Sequence, residues 1–285
     1  MSSTSEYCLV RLPNGAHSVR SLRYGETCHP GVGPMVEADT LYVRGLRLRE
    51  RLAAHGGEFV VWDIGFGAAA NALTVLGATA DLPVPLRIVS FDETTALLRF
   101  ALDHSAQLDY LRPHEPLLRR LLEEGAVTHN TGGRPVRWDL QMGDFPHLIR
   151  GPQAGNWPKP HLILFDPFSP ARNPAMWTAP LFADLFRALD PERPCVLATY
   201  SRSTMTRVAL LLAGFEVGVG DQVGAKEETT VAANTPALVD HPLDARWLER
   251  ARRSPSAEPL WTPAYRRAGL APATWNRLCQ CRQFH

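Results

Sequence analysis

Apolar and polar positions follow two regimes along this chain. Up to about residue 50 they alternate, as in YCLVRLPNGAHSVRSLRY, with Asn14-Gly15 between two short runs. Alternation marks half-buried strands, and Asn-Gly is the strongest short-range hairpin signal. A small β-rich cap is expected there, followed by a helix around residues 40–54. From residue 59 alternation gives way to continuous apolar runs, the pattern of strands buried on both faces. Such runs predict strands over residues 59–64, 86–93, 136–142, 162–165 and 195–199. Two closing strands follow over 215–219 and 229–233. Helices are expected over 68–80, 94–108 and 114–124, with another restarting near Pro174. A further helix should start at Ser201 or Ser203 and end at Gly214, because serine suits a helix start and glycine a stop. Alternating strands and helices predict an α/β fold with a parallel sheet and an antiparallel pair at one edge. The expected organisation is a cap over residues 1–55, the sheet domain over 56–236, and an Arg- and Pro-rich extension over 237–285. That extension contains a short helix at 245–253.

The segment EFVVWDIGFGAAANAL places a Gly-x-Gly turn between the first buried strand and its helix. Gly65 and Gly67 permit a tight turn and close backbone approach to a ligand. A dinucleotide fingerprint would need another glycine at residue 70, where this chain has alanine. The pattern fits better an Asp/Glu-x-Gly-x-Gly loop that holds S-adenosylmethionine, with Asp63 as the acid. The expected sheet is therefore the Rossmann-like one of class I S-adenosylmethionine-dependent methyltransferases. Ligands in such sheets sit at the carboxyl ends of the strands. Asp92 closes the second strand and is placed to accept hydrogen bonds from ribose hydroxyls, although Glu93 competes for that part. Asp144 closes the third and is placed for the adenine amino group, with Phe145 or a neighbour against the ring. Asp63 is assigned to the methionine ammonium, directly or through water, and Phe66 and Asn71 are grouped with the loop. Each acid also has a plainer reading: a buried aspartate satisfied by the backbone, a helix cap, or a turn residue.

The run HLILFDPFSPARNPAMW, residues 161–177, ends an apolar strand at Asp166 and breaks into a Pro-rich, aromatic loop. Asp-Pro-Phe resembles the Asp-Pro-Pro-Tyr type of loop used by amine methyltransferases. A capping aspartate in a strand–turn–helix connection has the same local signature.

Composition adds bounds. At 285 residues the chain can bury a full core, and its formal net charge of +1 gives no overall sign of nucleic-acid binding. Charge is uneven, however: from residue 241 to the end eight arginines face Asp244, Glu249 and Glu258. Those arginines can touch phosphates or simply form a solvated surface. The start MSSTSEYCLV lacks a signal peptide's basic residues and apolar core, and no stretch is apolar enough to cross a membrane. Five cysteines without secretory context point to reduced thiols and a cytoplasmic protein. Cys279, Cys281 and His285 lack a fourth ligand and the usual Cys-x-x-Cys spacing, so no metal site is expected.

Several motifs together resemble the methyltransferase domain of the MnmC family, the bifunctional tRNA 5-methylaminomethyl-2-thiouridine biosynthesis proteins. DIGFGAAAN resembles that family's GFGTGLN loop, QMGDF its GD motif, and DPFSPARNPAMWT its DAFSPxKNPxMW segment. The entry NGAHSVRSLRYGETCHPGVGPMVEADTLYV and the later pair AGF and GAKEE are similar as well. The likeness covers roughly residues 14–233. Three departures stand out: Ala68-Ala69-Ala70 replaces Thr-Gly-Leu, Arg172 replaces Lys, and Pro30 replaces Ser.

The resemblance implies S-adenosylmethionine as methyl donor and tRNA as substrate. The acceptor would be the primary amine of 5-aminomethyl-2-thiouridine at the wobble position. A stand-alone form is expected, since nothing here could house a flavin domain. An alkylammonium holds its proton near pKa 10, so the nitrogen lone pair is mostly occupied at neutral pH. A carboxylate at Asp166 suits orienting the N–H and stabilising positive charge, helped by the Asp166 or Pro167 carbonyl. Phe168 could offer its face to the cation, worth about 0.5–2 kcal/mol. Glu26, His29 and Glu37 in the cap and Lys226 in the late loop are candidates for shaping the substrate pocket. Two other functions fit the same residues: a methyltransferase acting on a small amine or another macromolecule, and a non-catalytic methyltransferase-like scaffold.

Overall fold

The structure is a computed structural model that describes residues 6–222 and 228–285. The chain divides into two contact units, meeting in sequence between Asp144 and Phe145. Among the described residues the first holds seven strands and the second four.

The first unit begins with the expected cap. Strands β1 (Tyr7–Arg11), β2 (His17–Ser21) and β3 (Glu26–Thr27) form an antiparallel sheet in the order β1-β2-β3. The hairpin at Asn14-Gly15 is present but wider than a two-residue turn. Its loop closes when Leu12 N donates to Ala16 O at 2.7 Å, with Gly15 at φ 87°. The single helix expected over 40–54 is replaced by three pieces: a helix at Pro34–Ala38, a π-helical turn at Asp39–Arg44, and a helix at Leu48–Ala53. The break lies at Arg47, whose left-handed φ of 48° cannot continue a right-handed helix.

Strands β4 (Phe59–Ile64), β5 (Leu86–Asp92), β6 (Ala126–Thr131) and β7 (Arg134–Met142) follow, in the order β4-β5-β7-β6. The first three neighbours are parallel and β6 is antiparallel to β7. The expectations over 59–64 and 86–93 hold closely. Strand β6 was not expected, because AVTHNT carries almost no apolar pattern. Its existence follows from Gly132-Gly133, at φ 58° and 85°, which form the two-residue turn that folds a strand back on its neighbour. A side chain at Gly132 would meet Ala80 O at 2.0 Å. Helices at Ala70–Ala78, Ala96–Asp103 and Glu115–Glu124 connect the strands. The fully buried Trp62 and Trp138 lie in this unit's core.

The second unit holds β8 (Leu162–Phe165), β9 (Val196–Thr199), β10 (Glu216–Gly220) and β11 (Thr229–Ala233), in the order β10-β11-β9-β8. Strands β8 and β9 are parallel, and β11 runs antiparallel to β9 and β10, giving the expected closing pair. The helix Thr204–Ala213 ends, as expected, at Gly214, whose φ of 108° suits glycine. Ser203 precedes it without a side-chain cap hydrogen bond.

The tail is packed rather than loose. Asp244 caps the helix Ala245–Arg253 by accepting from Trp247 N at 2.8 Å. Gln283 grips the Val217 backbone from both sides, at 2.6 and 2.7 Å. The buried Glu258 accepts from Trp261 Nε1, Ala271 N and Thr274 Oγ1, which anchors a further helix at Pro272–Cys279. The mixed α/β class expected from the sequence is the one observed.

Candidate functional site

The turn after β4 is fixed from its neighbour strand. Gly65 N and Phe66 N both donate to Phe91 O, at 3.0 and 3.1 Å. Gly67 N donates to Asp92 Oδ2 at 2.9 Å, and Thr94 N to Asp92 Oδ1 at 3.2 Å. Gly143 N, beyond β7, donates to Asp92 O at 2.9 Å. The carboxyl ends of β4, β5 and β7 are thus laced together through Asp92. Gly65 at φ 95° and Gly67 at φ 54° supply the left-handed backbone that the turn needs. Ala69 is left-handed as well, at φ 64°, and stands where the similar family has its third glycine. Alanine tolerates that conformation at a cost of about 1–2 kcal/mol.

Burial raises the Asp92 carboxyl above the usual aspartate range, opposed by the backbone donors Gly67, Thr94 and Glu93. Its two oxygens offer about four acceptor positions, so capacity remains for a ligand hydroxyl beside these backbone donors. Asp63, fully buried, accepts from Ser90 Oγ at 2.8 Å, and Ser90 Oγ in turn accepts from Trp138 Nε1 at 2.9 Å. Phe66 is buried edge-on against Trp138, with ring centroids 6.0 Å apart. Asn71 is buried in the first turn of the helix after the loop, and Asp144 is exposed beyond β7.

Two phenols of this unit, Tyr7 and Tyr24, feel the charge of Asp92, a third reaches the loop after β4, and nothing in the order of the sequence announced them. Tyr7 is pushed up to about 12 by burial, then by the negative neighbours Glu6, Asp92 and Cys28. Burial also raises Tyr24, opposed by Arg23 and reinforced by Glu93 and Asp92. Tyr110, likewise raised by burial, donates from its hydroxyl to Ala68 O at 3.2 Å. All three stay protonated at neutral pH and serve as donors with an apolar face. Only spatial proximity brings residues 7 and 24 to Asp92, and residue 110 to Ala68.

Glu37 is buried, and its Oε1 accepts from Gly31 N, Val32 N and Gly33 N at 2.7, 2.9 and 3.3 Å. It therefore holds the loop leaving His29, a half-buried residue in left-handed conformation at φ 46°. Glu26 is half-buried on β3, paired with Ser21. Lys226 lies outside the described residues.

In the second unit Asp166, Pro167 and Phe168 follow β8 directly and are half-buried. Their loop is pinned by three bonds. Trp177 Nε1 donates to Phe168 O at 2.8 Å, while Arg172 N and Asn173 N donate to Ser169 O at 2.9 and 2.8 Å. Trp177 also stands edge-on to Phe165, with centroids 5.2 Å apart. The Asn-Pro-x-Met-Trp string thus returns to the loop it follows and fixes its backbone. Pro174–Trp177 forms a short 3₁₀ turn, and the helix proper starts at Ala179, capped by Thr178. Phe145 is buried at the start of the short helix Phe145–Leu148.

Among the described residues no set of three His, Cys, Asp or Glu side chains is arranged to hold a metal ion, and no helix is long and apolar enough to cross a membrane. Cys281 donates to Leu211 O at 3.5 Å, and His285 bonds Cys279 O at 2.9 Å.

Residues 114–235 match a family model described as S-adenosyl-L-methionine-dependent methyltransferase. The enzyme class is thereby that of an S-adenosyl-L-methionine-dependent methyltransferase. This methyltransferase is 29% identical over 244 residues to the tRNA 5-methylaminomethyl-2-thiouridine biosynthesis bifunctional protein MnmC of Aeromonas hydrophila, covering 80% of this chain and 36% of that protein. It is 30% identical over 255 residues to the MnmC protein of Cupriavidus metallidurans, covering 81% and 35%. The chain spans about a third of the length of the curated relatives it matches. Its fold is similar to that of MNMC2 from Aquifex aeolicus, with TM-score 0.69 and 22% identity over 99% of this chain and 87% of that one. The resemblance to the MnmC proteins read from the motifs is borne out.

The loop after β4 fits the cofactor of this class. It combines left-handed glycines, which leave backbone open to a ligand, with an acid at the next strand end that has acceptor capacity left over.

Proposed function

We propose that this methyltransferase transfers a methyl group to the primary amine of 5-aminomethyl-2-thiouridine, or its uridine counterpart, at the wobble position of a tRNA in the cytoplasm. The observation that carries the reading is the Ser-Pro-x-x-Asn-Pro-x-Met-Trp string behind Asp166, folded back to pin the Asp166–Ser169 loop. The names of the relatives support the tRNA substrate.

S-adenosyl-L-methionine supplies an electrophilic methyl group on a sulfonium when bound. Gly65, Gly67 and Asp92 would hold it, with Asp92 taking ribose hydroxyls. Asp63, Phe66, Asn71, Asp144 and Phe145 are the further cofactor candidates. Asp166, as the carboxylate, accepts an N–H of the incoming neutral amine, stabilises the positive charge that forms on its nitrogen, and then accepts the proton that the methylated ammonium sheds. The fixed Asp166 or Pro167 carbonyl takes a second N–H, and Phe168 presents its ring face to the charge. His29, with the loop that Glu37 supports, Glu26 and Lys226 are assigned to shaping the acceptor pocket. None of these roles calls for a metal.

The test incubates purified protein with S-adenosyl-L-methionine and either tRNA bearing 5-aminomethyl-2-thiouridine or the free nucleoside, and reads products by nucleoside mass spectrometry. A single added methyl on the wobble nucleoside of the tRNA, with little reaction of the free nucleoside, is expected. Equal reaction of the free amine would replace the tRNA reading with the small-amine one. Failure to bind the cofactor at all, by calorimetry, would leave only a scaffold.

A further inference from the structure

The second unit contains an open cavity of about 510 Å³ that plays no part in the chemistry above. Arg202, Arg207, Glu228, Trp247, Arg250 and Arg253 line it. One arginine has a structural task. Arg207, fully buried, donates to Thr230 Oγ1 at 3.0 Å, Glu228 Oε1 at 3.1 Å and Thr229 O at 2.9 Å. Glu228 therefore answers the charge of Arg207. Arg202, Arg250 and Arg253 are exposed at the rim, and among the described residues Arg250 pairs with no carboxylate. Burial depresses the Arg207 guanidinium, Glu228 opposes that shift, and the positive charges of Arg250 and Arg202 add to it.

Arg250 and Arg253 add positive charge to the cavity that Glu228, bonded to Arg207, does not answer, and guanidinium forks match phosphate geometry. Arg250 and Arg253 are three residues apart on the helix Ala245–Arg253, so both reach the same side. Arg252, between them, faces elsewhere and stacks over the Trp275 ring at 5.0 Å. Arg202 stands at the start of the helix Thr204–Ala213, whose N-terminal end adds a partial positive charge.

We propose that this cavity is a phosphate-binding site for the backbone of a polynucleotide, with Arg202, Arg250 and Arg253 as the contacting residues. The volume admits more than one phosphate group, and an open, arginine-lined cavity suits a chain passing through rather than an enclosed small anion. The identity of that polynucleotide as tRNA rests on the function proposed above; the phosphate chemistry rests on the cavity alone.

The experiment measures binding of a labelled tRNA transcript to the full chain by fluorescence anisotropy over a salt series. Three proteins are compared: wild type, the double variant Arg250→Ala/Arg253→Ala, and Arg252→Ala. The double variant should bind at least about tenfold more weakly, and its log–log salt dependence should be shallower by about one unit per arginine removed. Arg252→Ala, which loses only its stack on Trp275, should match wild type in tRNA affinity and salt slope, and cofactor affinity should be the same in all three. Unchanged affinity and slope in the double variant, or an equal loss in Arg252→Ala, overturns the cavity while leaving the tRNA function standing. Wild-type protein that ignores the transcript, yet binds inorganic phosphate in calorimetry through Arg250 and Arg253, overturns the polynucleotide occupant in favour of a small anion. If neither ligand binds while the free amine is methylated, both the cavity and the tRNA function fail.

Discussion

Asp92 at the end of β5 and Arg250 beside the second unit's cavity treat charge in opposite ways. Asp92 is tied by backbone N–H groups, and burial raises its carboxyl above the ordinary range. Arg250 is exposed, meets no carboxylate among the described residues, and has other arginines as neighbours. The first arrangement is rigid and short-ranged, suited to a few directed hydrogen bonds with a small ligand. The second is exposed at its tips and longer in reach, suited to a screened, salt-sensitive attraction for phosphate. A carboxylate held by the backbone selects by geometry, whereas a group of arginines selects by charge. Substitutions in the first unit should therefore change affinity in a way that salt hardly alters, and substitutions around the cavity should change the salt dependence itself.

The largest expected effect lies at neither of these but at Asp166. Asp166→Ala should lower methyl transfer by about 10²–10⁴-fold, the usual contribution of a positioned proton acceptor, while cofactor affinity stays within about twofold. Turnover and cofactor calorimetry on one preparation decide it. A matching loss in both would place Asp166 on the cofactor and move the acid–base task elsewhere.

Next comes Asp92→Ala, which removes an acceptor for ligand hydroxyls and should cost about 1–3 kcal/mol of cofactor binding, roughly 5- to 150-fold in dissociation constant. The sign with pH follows from the raised carboxyl. Its proton must be absent for both oxygens to accept, so wild-type cofactor affinity should fall on acidification, beginning above the ordinary aspartate range. Asp92→Asn should flatten that profile. A wild-type profile that is flat through the acidic range would show that Asp92 does not meet the ligand. For stability the sign is opposite to a salt-bridged acid: a raised folded value means Asp92 favours folding most at low pH, and that contribution is lost as pH rises through it.

Glu37 sharpens the comparison from the structural side, since it uses the same chemistry as Asp92 with no ligand required. Glu37→Ala leaves three backbone N–H groups short of their acceptor and should reduce unfolding free energy by about 1–3 kcal/mol in denaturant titration. A variant of unchanged stability but altered acceptor KM would mean that Glu37 acts mainly on substrate.

The smallest effect is expected at Ala69. Replacing it with glycine relieves about 1–2 kcal/mol of left-handed strain, but loses a buried methyl worth about 0.8 kcal/mol and adds unfolded-chain entropy of about 0.4–1 kcal/mol. Ala69→Gly should therefore shift stability by less than about 1 kcal/mol and leave cofactor binding intact. A tenfold change in cofactor affinity would show that the methyl itself bears on the ligand.

By itself the sequence determined the α/β alternation, the cap hairpin, and the ends of β4, β5 and β8 with their acids. It also determined the tail helix Ala245–Arg253. These are local matters: buried strands need unbroken apolar runs, and glycine or proline must stand where the backbone turns. What has no local pattern was invisible. Strand β6 is polar because it is an outer strand, so no apolar run marked it. The kinked helical stretch over 34–53 depended on a left-handed Arg47, a residue type that gives no such signal. The arginines at 250, 252 and 253 were indistinguishable as sequence, yet two face a cavity and one stacks on Trp275. The approach of Tyr7 and Tyr24 to Asp92, the bond from Tyr110 to Ala68 O and the three-amide grip of Glu37 were decided only by tertiary structure. Long-range proximity is a property of packing, fixed by how buried faces meet and not by the residues adjacent in the chain.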